Sequence, residues 1–180
     1  MWIVKEPSSY LLILGDRQAI AWVLREQRMA FPPTSRSEIA QVRPGDELLI
    51  YTTRGAYRNP TRDRGRVIGR AVVTSDVRPL DEPVRIAGRE YPTGCNLRVD
   101  QLVPWGSGVE LQPLVARLDA FPNPAAWSIM LRRALLRLSA KDAALLWERL
   151  ASLSGGLSVN LPGYLAQDRP PATHASRGTC

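Results

Sequence analysis

Six arginines lie between Arg54 and Arg70, at positions 54, 58, 62, 64, 66 and 70, against a single acid, Asp63. That is a net +5 within 17 residues, most of the +7 carried by all 180 residues. Guanidinium forks match phosphate oxygens two bonds at a time, and Gly55 allows backbone amides to approach the same ligand. Tyr57 sits among these charges, and Tyr51 ends the segment that feeds them. Basic residues interleaved with an aromatic suit a site that grips a backbone while a base stacks. Arg54, Tyr57, Arg58, Arg62 and Arg64 are therefore the expected phosphate-binding residues. The plainer alternative is a solvated loop in an arginine-rich protein. Of the 24 basic residues 22 are arginine, and Lys5 and Lys141 are the only lysines. A GC-rich genome raises arginine content without any binding role, so the distribution must carry the argument.

A second candidate is Arg28-Met29-Ala30-Phe31, an arginine and an aromatic flanking a bend after a helix, within reach of a pocket at the mouth of a barrel. Trp2 and Trp105 are either walls of an aromatic cage or core residues. Trp22, Trp127 and Trp147 fall on helical faces and read as packing.

Much chemistry is absent from this chain. Its cysteines are Cys95 and the terminal Cys180, and its one histidine is His174 in the tail. They form neither a disulfide framework nor a zinc spacing, and no Ser-His-Asp or Cys-His arrangement can be assembled from them. Lys5 with Glu6 is the one acid–base pair to consider, and neighbours in a strand point to opposite faces. The expectation is no catalytic residue, no metal and no cofactor. The longest apolar run, Tyr10 to Leu14, is far short of the roughly 20 residues of a membrane span. The N-terminus reaches Glu6-Pro7 before an apolar signal segment forms, so the protein reads as cytosolic (cytoplasmic). A pI near 10.1 favours polyanionic partners.

These residues need elements to position them. Trp2 to Lys5 reads as a first strand ended by Glu6-Pro7-Ser8-Ser9. Asp16 caps a helix with Ile20, Val23, Leu24 and Gln27 on one face, stopped by Phe31-Pro32-Pro33. Ser35 and Glu38 have capping-box spacing ahead of a short helix through Ile39 and Val42. Arg43-Pro44-Gly45-Asp46 forms a turn, Glu47 to Thr53 a strand, Arg54 to Arg64 a loop, and Arg66 to Ser75 an alternating strand. Further strands are expected near Val84–Ile86, Cys95–Leu102 and Val109–Leu118. Pro124 opens a helix with Trp127, Met130, Leu131, Ala134 and Leu135 on one side. Ser139 with Asp142 caps another through Leu153. Residues 155–180 read as a disordered Pro/Ser/Gly-rich tail behind a domain of residues 1–154. The order indicates an α+β fold, a small curved sheet or barrel with helices at one side.

Read with these elements, the chain resembles an EVE domain of the PUA-like superfamily. Trp2-Ile3-Val4-Lys5-Glu6-Pro7 is similar to the family's opening strand, and Arg28-Met29-Ala30-Phe31 falls at its Val-Arg-Asn-Tyr-like bend. Val42 to Thr53 resembles its Gly-Asp turn and apolar strand, and Val67 to Val73 its Ile-Val-Gly-Ile-Ala-Glu-Val strand. Leu131 through Leu150 resembles its closing basic segment and capped helix. Ala30 stands where the family has Asn, and Thr52 where His is common. The resemblance implies a PUA-like twisted β-barrel with flanking helices. Its pocket would receive a base, often modified, from RNA or DNA. Carried over by position, that pocket would use Lys5, Arg28, Phe31, Tyr51, Thr52 and Thr53. The leading expectation is a nucleic-acid-binding module, not an enzyme. Its alternatives are a nucleoside or nucleic-acid hydrolase of the ASCH type and a protein–protein adaptor working through Trp127, Trp147 or the tail. The sequence sets no oligomeric state.

Overall fold

A computed structural model describes residues 4–33 and 37–169. Trp2, Ile3, Ser35, His174 and Cys180 lie outside them. The strand that organises the sheet is β1, Ser9–Leu14. Residues 4–8 have no regular structure, and Val4 is 86% exposed. Of the strand expected at Trp2–Lys5, Val4 and Lys5 are therefore not in a strand, while Trp2 and Ile3 lie outside the described residues, and the first described strand begins at Ser9. In β1 every residue after Ser9 is buried. It runs between β3, Glu47–Thr52, which pairs with it in parallel, and β8, Leu135–Leu138, which is antiparallel. A strand covered on both faces shows no alternation, and so its pattern is a bare apolar run.

Asp16 accepts a bond from the Gln18 amide at 2.7 Å and opens helix α1, Arg17–Glu26. The helix stops earlier than Phe31, at Gln27, which takes the left-handed conformation (φ 55°). Gln27 Oε1 accepts from the Val99 amide at 2.8 Å, and its carbonyl accepts from Leu97 at 3.0 Å. One side chain thus joins the helix end to the sheet, and the chain turns into β2, Arg28–Phe31. A short helix α2, Ser37–Gln41, follows.

At the Gly45-Asp46 turn, Gly45 has φ 92° and Asp46 is buried. The Asp46 carboxylate accepts from the amides of Ser8 and Arg43, both at 2.9 Å, and so fixes the start of β1 beside the start of β3. Strand β4, Arg66–Val73, pairs with β3 and with β6, Arg89–Leu102. The hairpin from β5, Arg78–Ile86, turns at Ala87-Gly88, both with positive φ. The path β2-β6-β4-β3-β1-β8, with β5 on β6 and the short β7 (Val109–Glu110) on β4, curls into a half-barrel with flanking helices. It is an α+β sheet of mixed direction.

Three expectations fail after residue 108. The strand expected over Val109–Leu118 ends at Glu110 and continues as a 3-10 helix over Gln112–Arg117, with Pro113 in its first turn. The helix expected from Pro124 shrinks to a 3-10 turn and α3, Trp127–Met130, while Leu135 and Leu136 enter β8. The unpaired edge of β1 supplies the reason: Ile13 donates to Ala134 at 2.9 Å, so sheet bonds displace helical ones.

Helix α4, Ala140–Ala151, keeps the Ser139 cap, but the carboxylate of Asp142 does another job. It is wholly buried and accepts from the amides of Asp119 and Ala120, each at 2.8 Å. The region read as a tail contains α5, Leu157–Gln167, packed on α1 and β6. Residues 170–180 lie outside the described residues. Gly155 exchanges both backbone bonds with Leu102, Asn160 Nδ2 donates to the Leu102 carbonyl at 2.7 Å, and the Tyr164 hydroxyl donates to Val103 at 2.9 Å. Anchoring by polar atoms leaves little apolar periodicity to read. Among the described residues no helix is long and apolar enough to cross a membrane.

Tyr164→Phe leaves the enclosed Val103 carbonyl without its donor and is expected to destabilise the fold by about 1–3 kcal/mol in urea unfolding. An effect near zero would show that α5 is not held by this bond. Burial also raises the Tyr164 phenol and pushes Tyr51 and Tyr57 from 10.0 up to about 12. Above pH 10 the folded state therefore keeps protons that the unfolded chain has lost. Stability should begin to fall near pH 9, where the unfolded chain loses the proton that burial keeps on Cys95, and fall more steeply from pH 10 towards 12, which thermal melts across that range will test.

Candidate functional site

Two hollows open where β1 and β3 end. The parallel pair delivers Gly15-Asp16 and Thr53 side by side, tied by the Thr53 amide donating to Leu14 at 3.0 Å. From there the chains separate, one into α1 and the other into the Arg54–Arg64 loop. The larger hollow, about 840 Å³, lies between the end of β1, helix α1, strand β2 and the β5–β6 hairpin. Its apolar wall includes Ala30, Pro32 and Ile86, with the rings of Trp22 and Tyr91. Four arginines, Arg58, Arg89, Arg132 and Arg133, line it against the acids Asp16 and Glu90. The smaller, about 370 Å³, is lined by Thr52, Tyr57, Arg62, Arg64, Arg66 and Trp105, among others. Thr53 lines both. Both volumes fall in the range of small-molecule clefts, roughly 300–1,000 Å³.

The loop between them is anchored. Ala56 is buried in the core and its carbonyl accepts from the Arg17 amide at 3.1 Å. Tyr57 packs against the core and meets Trp105 edge-on, ring centroids 6.0 Å apart. Burial raises the Tyr57 phenol, an effect that the Trp105 indole partly offsets. The hydroxyl is buried and has no hydrogen-bond partner of full geometry among the described residues. Arg58 holds a left-handed backbone, φ 58°, which costs a side-chain-bearing residue about 1–2 kcal/mol.

The six arginines divide by partner. Arg70 pairs with Glu47 at 3.1 Å and lies over the Trp147 ring at 4.6 Å. Arg66 donates to the Gly106 carbonyl at 2.6 Å with Glu110 at 3.7 Å, and Arg62 pairs with Asp63 at 2.7 Å. Arg54, Arg58 and Arg64 have no carboxylate partner among the described residues.

The expected site residues disperse accordingly. Thr53 and Arg58 face the larger hollow, while Thr52, Thr53, Tyr57, Arg62 and Arg64 line the smaller. Arg54 is exposed on the loop and lines neither. Arg28 sits over the Trp22 ring at 5.7 Å, beside the larger hollow. Phe31 and Tyr51 are core: Phe31 is fully enclosed, and the Tyr51 phenol fills the space that a Cβ on Gly65 would need. Lys5 is exposed on the segment before β1 and reaches neither hollow, because the opening strand starts at Ser9. Sequence reasoning missed Gly15, Asp16, Tyr91 and Arg132. The Gly-Asp pair directly after the apolar run Tyr10–Leu14 was the available signal, whereas nothing local marks Tyr91 or Arg132. Cys95 is buried, and its thiol is pushed up to about 12 by that burial.

No family model matches this chain, and neither does any curated protein. Solved structures do match in fold. The Pho92 YTH domain, in complex with m6A, aligns with a TM-score of 0.55 at 11% identity, over 83% of this chain and 87% of that one. The YTH domain of Zygosaccharomyces rouxii MRB1, in complex with N6-methyladenosine RNA, gives 0.51 at 16%, over 83% and 91%. A protein from Pseudomonas syringae gives 0.53 at 10%, over 79% and 99%. The curled half-barrel with flanking helices is thus similar to the fold of YTH domains.

Arg58→Gly removes the penalty of the left-handed backbone together with one free charge. Its melting temperature is expected to match or exceed the parent's, by no more than about 1 kcal/mol in stability. A clear loss would mean that the Arg58 side chain holds the loop.

Proposed function

We propose that this chain is a PUA-like reader of single-stranded RNA that takes one base, with a methylated adenine the first candidate, into the larger hollow. The observation that carries the reading is the joint position of Thr53 and Arg58. An apolar, aromatic-walled cleft opens at the ends of two parallel strands, and unpaired arginines stand on its rim. Trp22 and Tyr91 offer ring faces to a splayed-out base. Ala30, Ile86 and the prolines offer apolar contact for a methyl group, and Arg58, Arg64 and Arg54 offer charge to the flanking phosphates. RNA is preferred to DNA because the two YTH domains of similar fold are in complex with m6A and with N6-methyladenosine RNA.

The two parts of the site make different contributions. Phosphate contacts supply salt-sensitive affinity that is blind to sequence, while the cleft supplies choice of base. Burying one methyl group contributes about 0.8 kcal/mol, close to a fourfold preference. Base selectivity is therefore expected to be modest unless the cleft also reads hydrogen-bonding edges.

Fluorescence anisotropy with a five-nucleotide RNA, carrying adenosine or N6-methyladenosine at its centre, separates these contributions. Replacing Arg54, Arg58 and Arg64 together by Ala should flatten the log–log salt slope by about 2, three charges at roughly 0.7 each on a single strand. Ala30→Trp, which fills the cleft, should weaken binding at every salt concentration and leave the slope alone. A parent protein that binds neither RNA would end this reading.

A further inference from the structure

We propose that the smaller hollow is a second nucleotide subsite, in which the base next to the one in the larger hollow stacks on Trp105 while Arg64 holds the phosphate between them. This rests on the RNA-reader reading and deepens it, because it makes the ligand a strand of at least two nucleotides draped over the Arg54–Arg64 loop.

Four observations carry it. Trp105 is 38% exposed, unusual for so large an apolar ring, and it faces a hollow instead of completing the core. Its position is fixed from behind. A Cβ on Gly163 would come within 3.1 Å of the Trp105 Cβ, so α5 passes with no side chain between them, and Tyr57 braces the ring edge-on. The turn that carries it is closed by the Ser107 amide donating to Pro104 at 3.0 Å and by Gly106 at φ 86°. A braced ring partly open to a hollow is a stacking platform that needs no reorganisation.

The charges are laid out to match. Arg66 is held on the Gly106 carbonyl and Arg62 on Asp63, whereas Arg64 meets only the carbonyls of Thr61 and Asp63, each at 3.4 Å. Arg64 is thus the arginine of this hollow with guanidinium capacity to give to an incoming anion. Finally, Thr53 borders both hollows, and the loop that leaves it turns Arg58 to one and Arg62 and Arg64 to the other. A backbone crossing at Thr53 would meet positive charge on both sides. Arg64 beside a partly exposed indole, at the scale of one ring, fits a nucleotide, and Thr53, which borders both hollows, makes it the neighbouring one.

The test uses the full chain and three probes. These are the five-nucleotide RNA with central N6-methyladenosine, the same RNA with an abasic neighbour on one side or the other, and N6-methyladenosine 5′-monophosphate. Trp105→Leu keeps apolar packing against Gly163 and Tyr57 but has no ring face. It should weaken the intact RNA by about tenfold and leave the mononucleotide unchanged. In the parent, an abasic site on one particular side should cause a similar loss. In Trp105→Leu that same abasic site should have no further effect, as expected of two changes that remove one contact. Equal binding of intact RNA by parent and Trp105→Leu would overturn the subsite, as would a parent indifferent to the abasic site on either side. A loss shared equally by the RNA and the mononucleotide would overturn it too. In those cases a loss on Ala30→Trp would leave the base cleft standing. A parent that binds no probe would overturn both.

Discussion

The parallel pairing of β1 with β3 is the constraint from which the rest of this molecule follows. Six residue pairs, Ser9 with Glu47 through Leu14 with Thr52, hold the two strands in register. Because the strands run the same way, their chains leave the sheet at the same end, and neither can turn back into the other by a hairpin. One exit must become α1 and the other must become a loop. The space between two diverging exits is a cleft, as in open sheets whose ligands sit beyond the carboxyl ends of parallel strands. Asp46 secures the opposite end by binding the Ser8 and Arg43 amides. A slip of one residue would exchange the two buried faces of β1 and part Leu14 from Thr53.

How far the sequence revealed this depended on whether burial left a trace in it. The Asp16 cap, the Gly45-Asp46 turn and the Ser139 cap were legible because each rests on a local bond, β4 because its second half alternates, and β3, though as buried as β1, because the Gly45-Asp46 turn marks its start. The strand β1 was not legible as such. Covered on both sides, it shows only five apolar residues in a row, and a Trp2–Lys5 segment offered a rival strand. Leu135 and Leu136 satisfied helical spacing equally well until the free edge of β1 claimed them. Helix α5 carries Pro162 and Gly163 and is attached through Asn160 and Tyr164, so composition alone hid it. Long-range partners decided each of these cases, and no window of sequence contains them.

The site divides in the same way. Charged residues on a loop have few places to go but the surface, and Arg58, Arg62 and Arg64 with Tyr57 do line the hollows. Aromatic type is far less informative: Phe31 and Tyr51 serve the core while Trp105, equally apolar, stays half in solvent. The cluster of six arginines also overstates the charge on offer. Arg62, Arg66 and Arg70 are taken up by Asp63, by Gly106 with Glu110, and by Glu47 with Trp147. Three of the six are engaged within the protein, and three have no carboxylate partner among the described residues.

Those three gain from being on a loop that is already fixed. A mobile arginine-rich segment loses backbone and side-chain freedom whenever it grips an anion, which offsets much of the Coulomb attraction in water. Here Ala56 is in the core, Tyr57 is wedged against Trp105, and Arg58 keeps a backbone conformation that its side chain disfavours. Strain at a single position persists when its surroundings over-determine it. The anchors that follow Thr53 therefore do more than tidy a loop. They hold Arg58 beside one hollow and Arg64 beside the other at fixed spacing, so an anion that reached either would not have to order the loop first.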